Sequence, residues 1–438
     1  MSLLVISPDY ASHLLPLATL ATAWRDAGDD VVVATGPATD SIVQGFGLRR
    51  VDLPLGRGSN GGVMRSAEQQ AEEAASLEGF FAATRHGMVP TLTYQARERL
   101  TDLMWDPVGR ARATLDVIER TAPTTILVDH LAFSARLALQ TAGIPYADVV
   151  LGHPSALPVG DEVYGSPASW PSAIRADAGE LAALRALCEQ VSRNFTDQWN
   201  AAARELDPGA AEIDDAFGSH GSTVLFNYPA ALAEGDGRVL PPSAFLGSTR
   251  REEPADAEVE AWIAAGEPYV YVSFGSFLSV RSDVLARVCV ALASRGLRAA
   301  VALGSADRAD LGDLPSGWLV REFLPQVRLL GSAAAAVTHG GNNSVTEAMT
   351  FGVPLLVLPF STDQFAGAAA LERAGFGIAL APNEATADEL ATGIDRVLAL
   401  PREQLDALSA GLRQRPGSVR AFDALNSRIA AASPDAAR

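Results

Sequence analysis

A group that takes a proton near neutral pH is most often an imidazole, and this chain has six, at positions 13, 86, 130, 153, 220 and 339. Two of them, His13 and His339, stand at turns between an apolar run and a helical stretch, the carboxyl edge where open α/β sheets bind ligands. The run TILVD ends at Asp129, again at such an edge. A carboxylate there can orient an imidazole and stabilise its protonated form, or it can simply cap the next helix, and both readings stand at this point. His86, His130 and His220 lack the pattern, whereas His153, in LGHPSALP, is placed to line a cleft. No spacing among the six suggests a zinc site, so no metal is expected.

The segment HGGNNSVTEAM, from His339 to Met349, is the richest in chemistry. Two glycines after a strand let the backbone approach a ligand closely. Asn343 and Ser344 then open a helix, whose free N–H groups and positive dipole end form an anion site that needs no lysine. Glu347 lies one turn further, where a carboxylate suits the hydroxyls of a ribose better than a phosphate, which it would repel. A ligand-free glycine-rich turn is the plain alternative. Two more strand ends follow the same logic: SFGSF brings Ser273 and Ser276, and LPFSTDQF brings Asp363 next to Gln364, an acid and an amide suited to several sugar hydroxyls. The stretch GRGSNG, Gly56 to Gly61, matches GxGxxG but precedes a polar stretch and reads as a flexible loop.

The elements that must position these groups alternate. LLVIS, a helix through LLPLATLATAWRDAG and VVVAT form a βαβ rhythm that returns at TILVD and IPYADVV, predicting a parallel sheet with helices on both faces. A second series has strands at YVYVSFG, RAAVAL, AAAVTHG and PLLVLP. The expected organisation is α/β: a first unit over 1–225, a linker over 226–257, a second unit over 258–405, and helices over 406–438 that return to the first unit. Residues 55–110 and 151–221 read as insertions that shape a cleft, with Trp105, Trp170, Trp199, Phe80, Phe81 and Tyr164 available to an aromatic acceptor.

Composition excludes more than it identifies. All 34 basic residues are arginine, against 52 acidic ones, for a net charge of −18. Without lysine there is no Schiff base and no P-loop, and the acidic balance argues against a nucleic-acid partner. Two cysteines make no disulfide framework, and the longest apolar run, FGVPLLVLPF, is about half of a membrane span. The expectation is a cytoplasmic protein, neither exported nor membrane-spanning.

SHLLP, Ser12 to Pro16, and the block FLPQVRLLGSAAAAVTHGGNNSVTEAMTFGVPLLVLPFSTDQ, Phe323 to Gln364, resemble the GT-B UDP-glycosyltransferase family, and within it the bacterial macrolide and natural-product branch. The resemblance implies two Rossmann-like, doubly wound parallel-sheet domains facing across a cleft. It implies inverting, metal-independent transfer of a hexose from a UDP- or dTDP-sugar to a hydroxyl of a polyketide, macrolide or phenolic acceptor, with no cofactor beyond the nucleotide diphosphate sugar. His13 would be the base and Asp129 its orienting acid. His339, Gly341, Asn343, Ser344 and Ser276 would meet the pyrophosphate, and Glu347 the ribose. Phe323 would stack on the base where relatives often have Trp, with the Leu324 backbone and Gln326 nearby; Asp363 and Gln364 would hold the sugar. On the acceptor side, His153, Phe80 and Phe81 are expected. A sugar-nucleotide epimerase and a non-catalytic partner protein are the rival readings.

Overall fold

The computed structural model describes residues 2–56, 70–101 and 104–432, so the GRGSNG stretch lies almost wholly outside the described residues. Seven strands form a first sheet: β1 Ser2–Ile6, β2 Asp30–Thr35, β3 Arg49–Asp52, β4 Thr125–Asp129, β5 Ala147–Val150, β6 Thr223–Phe226 and β7 Ser243–Phe245. They pair in parallel in the order β3-β2-β1-β4-β5-β6-β7. The second sheet is β8 Tyr269–Ser273, β9 Arg298–Ala302, β10 Leu319–Arg321, β11 Ala335–Thr338, β12 Leu355–Val357 and β13 Gly377–Ala379, in the order β10-β9-β8-β11-β12-β13. Helices cover both faces of both sheets, which is why the central strands are continuous apolar runs: LLVI of β1 is entirely buried. Each sheet reverses its strand order once, between β1 and β4 and between β8 and β11, and the loops leaving those strands open the crevice where ligands of such sheets bind.

The segment 226–257 is not simply a linker. It contributes the short helix Ala230–Ala233 and β7, the edge strand of the first sheet. The closing helices divide between the two units. Glu403–Gln414 packs on Asn342–Phe351 of the second, where Ser409 donates to the Thr350 carbonyl at 2.7 Å. Gly417–Ala432 returns to the helix Ala11–Asp26, with Trp24 and Phe422 edge to face at 5.1 Å.

The insertions are largely packing. Trp199 is buried beside Phe195, Tyr164 stacks on Phe217 at 4.0 Å, and Trp170 lies against Phe365 of the second unit at 4.9 Å. The helix Gln70–His86 reaches across to the second unit. Phe80, only 5% exposed, joins the core of Val272, Phe274 and Phe360, with Phe81 packed alongside. One turn on, the Thr84 carbonyl accepts from Arg281 at 2.9 Å and from Asn383 at 2.8 Å. The expectation that Phe80 lines an acceptor cleft is therefore corrected, because burying an aromatic ring in an apolar core leaves nothing to present to an acceptor, whereas Phe81 is only partly buried.

Candidate active site

The loop leaving β1 is held before it reaches His13. Asp9, 7% exposed, accepts from the backbone of Ala38 and Thr39 and from the Thr39 hydroxyl, at 2.8 to 3.1 Å. Gly36 permits this approach, because a Cβ there would overlap the Asp9 carboxylate. The helix Ala11–Asp26 then sets His13 in its first turn, with Nδ1 at 2.8 Å from Asp129 Oδ2. Asp129 is 1% exposed, and its other oxygen accepts from Leu131 N at 2.8 Å. With Nδ1 facing the carboxylate, the Nε2 side of the ring remains for the cleft; the His13 side chain is 26% exposed. Burial pulls the His13 pKa down, but the charge and hydrogen bond of Asp129, with the charge of Asp363 from the second unit, outweigh it and leave the value above 6.5.

Pro16 has a specific consequence here. In a helix the amide of residue 16 would bond the carbonyl of Ser12, and proline has no N–H to give. The Ser12 carbonyl instead accepts from Asn343 Nδ2 at 3.2 Å, which ties the residue before His13 to the start of the helix Asn342–Phe351 in the second unit. Asn342, a position left without a role in the sequence, makes a second tie across the cleft. Its side-chain amide donates to the carbonyls of Leu151 at 2.6 Å and Asn227 at 3.0 Å.

At the carboxyl edge of the second sheet, His339 follows β11 and its ring lies against Gly275 and Gly341. A Cβ at Gly341 would overlap the ring, and one at Gly275 would stand 3.2 Å from it. Burial lowers the His339 pKa to about 4, so the ring is neutral at physiological pH. Gly341 is the residue before the helix, whose first N–H groups face the same edge. Ser344 Oγ lies 3.4 Å from Gln326 Oε1. Thus His339, Gly341, Asn343, Ser344 and Gln326 are gathered on one edge, and Asn343 brings that edge to His13.

Other expected residues are placed differently. Glu347 is 2% exposed, and both its oxygens are taken, by Arg251 at 3.0 Å and by Gln326 Nε2 at 2.6 Å. Burial raises its pKa overall, against the opposing pull of Arg251 and Gln326. A ribose at Glu347 would have to displace one of these partners. Gln364, 7% exposed, turns into its own loop, accepting from Phe360 N and Ser361 N and donating to Ser361 Oγ; it does not face the cleft. Asp363 does reach the interface, where its Oδ2 accepts from His153 N at 2.7 Å.

It is the backbone of His153 that meets the site. Its ring is buried, caps the turn at Ser155 at 3.1 Å and lies edge to face with Tyr228. Phe323 is 64% exposed, free to stack on a ligand, and Leu324 is half-buried against the core. The Ser276 side chain lies outside the described residues.

Two of these imidazoles give the fold an acid limit. Burial holds His153 at about 3 and His339 at about 4, both below the 6.5 of an unfolded chain. Each ring gains its proton only on unfolding, so stability present above pH 6.5 is lost as the pH falls from there toward those values. The expected loss near pH 5 is about 2 kcal/mol per ring. Urea midpoints near pH 7 and near pH 5 measure it, and His339→Gln should remove that ring's share of the difference.

The two-sheet arrangement has close counterparts. The glycotransferase of kitacinnamycin superposes with a TM-score of 0.68 at 21% identity, covering 98% of each chain. The glycosyltransferase VinC, solved in complex with dTDP, superposes with 0.65 at 19% identity, covering 99% of this chain and all of that one. In sequence, the elloramycin glycosyltransferase ElmGT of Streptomyces olivaceus is 26% identical over 394 residues, 88% of this chain and 87% of its own. The pattern of the family described as UDP-glucoronosyl and UDP-glucosyl transferase matches residues 187–419, from the long helix of the second insertion through the whole second sheet. That match spans more than half of the chain and takes in the His339 edge, and the fold around it is GT-B: the chain belongs to the UDP-glucoronosyl and UDP-glucosyl transferase family and is a glycosyltransferase.

Proposed function

We propose that this glycosyltransferase moves a hexose from a UDP- or dTDP-sugar to a hydroxyl of a small natural product, a polyketide, macrolide or phenolic, with inversion and without a metal. In this reading the unit built on the first sheet takes the acceptor and the unit built on the second takes the donor. His13 removes the acceptor proton at Nε2, oriented by Asp129. His339, Gly341 and the N–H groups opening the helix Asn342–Phe351 meet the diphosphate, whose charge grows as it leaves. Phe323 stacks on the base, Asp363 holds the sugar, and attack comes from the face opposite the nucleotide.

The observation that carries the reading is the bond from Asn343 to the Ser12 carbonyl, which sets the helix start proposed for the diphosphate beside the residue proposed as base. The acceptor class draws on relatives such as the elloramycin enzyme, and a dTDP donor on the bound VinC structure. No helix among the described residues is long and apolar enough to cross a membrane, in keeping with action in the cytoplasm on dissolved substrates.

Calorimetric titration with UDP and with dTDP, both in excess EDTA, tests the donor half. Saturable binding of at least one is expected, and the tighter one selects the sugar donors to pair with an acceptor library. A folded protein that binds neither would end the donor assignment and turn attention to a non-catalytic partner role.

A further inference from the structure

On the face of the first sheet opposite the His13–Asp129 pair, three ionisable groups are sealed from water. His130, Arg136 and Asp148 are each 1% exposed or less. The pleat separates the two sets: Asp129 pairs with Val149, and Val128 with Asp148, so Asp148 points away from His13. His130 Nδ1 is 3.1 Å from Asp148 Oδ2, and the Arg136 Nε approaches the same oxygen at 3.4 Å. Phe133 and Trp199 flank the guanidinium. Asp129, His220 and Tyr146 are further titratable groups whose field or hydroxyl acts there. Burial, with the charge of Arg136, lowers the His130 pKa, while the interactions of Asp148 with His130 and Arg136 outweigh burial and lower the pKa of that carboxyl.

A buried ion pair of this kind is weak evidence for stability, since packed apolar residues of the same size often serve as well. Its geometry points elsewhere. Arg136 Nη1 donates to the His130 carbonyl at 2.8 Å, and Nη2 reaches the Ser219 carbonyl and, at 3.0 Å, the Ser219 hydroxyl. The His130 carbonyl and the Leu131 N–H are two ends of one planar peptide. That N–H is the donor to Asp129 Oδ1 at 2.8 Å, and the other Asp129 oxygen meets His13. The turn around this peptide is held as well, by Ala132 N on the Asp129 carbonyl at 2.8 Å and by His130 N on the Val149 carbonyl at 2.9 Å.

We propose that Arg136, held by Asp148, is a positioning residue for the His13–Asp129 pair, acting through the rigid peptide between His130 and Leu131. The inference rests on the reading of His13 as the base. A peptide free to rotate would release the Asp129 carboxylate, and an imidazole displaced by a fraction of an ångström misses the acceptor proton.

The test is the double variant Arg136→Met/Asp148→Leu, which removes both buried charges together, alongside Arg136→Lys. The lysine keeps the charge facing Asp148 but cannot reach His130 and Ser219 at once. In both, UDP and dTDP affinity and the donor KM are expected to stay at the wild-type level. The kcat is expected to fall about 10- to 100-fold, and the acid limb of the pH–rate profile to move down by roughly half a unit or more, as Asp129 loosens its hold on His13. The ionisable groups acting on His13, Asp129 from β4 and Asp363 from the second unit, are untouched by these substitutions, as is Tyr10, whose ring lies 6.0 Å from that of His13. Should the double variant not fold, Arg136→Lys carries the same readouts. An unchanged profile and kcat in the variants that fold would overturn the positioning role. His13→Ala, assayed in parallel, separates the two claims: turnover retained there removes the base reading, whereas turnover lost there with unchanged Arg136 variants removes only this inference.

Discussion

Alanine in place of His13 is expected to slow transfer to a hydroxyl acceptor by about a thousandfold or more, with the affinity for UDP and dTDP unchanged. An aliphatic hydroxyl keeps its proton at neutral pH, so attack on the sugar needs a base already in contact with it. Nδ1 of His13 is committed to Asp129 at 2.8 Å, which leaves Nε2 to do the work. The pH dependence carries the signature. Because Asp129 and Asp363 hold the pKa above 6.5 against burial, the ring is mostly protonated in mild acid and unable to accept. Wild-type kcat/KM should climb with pH through that raised value and level off above it, and the alanine variant should lose this limb together with its rate. Steady-state rates across the pH range, with calorimetry on the same preparation, make the measurement. Undiminished turnover with the limb intact would take His13 out of the mechanism.

Asparagine in place of Asp129 is expected to cost about a hundred- to ten-thousandfold in kcat, although it is the closest isostere. The two oxygens of Asp129 accept from different donors, Leu131 N and the His13 ring. An amide has one acceptor to give. If its oxygen stays on Leu131 N, its NH₂ faces Nδ1 and forces the imidazole into the tautomer with the proton on Nε2, where it cannot take another. If the amide turns over, two N–H groups confront each other in a buried turn. In either arrangement the negative charge that raised the His13 pKa is gone, so the residual activity should show its acid limb at lower pH than the wild type. Kinetics of the purified variant decide the matter, and a kcat within about threefold of the wild type would leave Asp129 as a helix cap and nothing more.

The central strands were legible because each is an apolar run flanked by turns, and His13 and Asp129 because each stands at the end of one. What escaped the sequence did so for physical reasons. The strands β7, β10 and β13 have three residues each, too few to show a period on their own; β12 is as short but lies within the apolar run PLLVLP, whereas β7 lies among prolines and acids that read as a linker. Gln364 belongs to the same LPFSTDQF loop as Asp363, yet their directions differ because Thr362 takes a left-handed backbone, φ 51°, just before them; the letters do not record that turn. Arg251 was not legible as the partner of Glu347 because it lies in an irregular stretch near several other acids, with nothing to say which of them it would choose. Pro16 was visible all along, but its effect on the Ser12 carbonyl matters only once Asn343 stands opposite.

The seat of Phe80 bears on how such enzymes can be recombined. On the reading that the first unit takes the acceptor, grafting a new acceptor range from a relative is most simply done by exchanging chain halves at one junction in the stretch between β7 and β8. In this chain that single crossover would set a foreign helix against the pocket of Val272, Phe274 and Phe360 that receives Phe80, and would dock the last helix, with Phe422, on a foreign first helix in place of the one that carries Trp24. A transplant that keeps both seats needs three pieces: the first half, the final helix that packs on it, and the second-unit residues that receive Phe80. Crossover libraries drawn with those boundaries should yield soluble hybrids where a one-cut library yields aggregates.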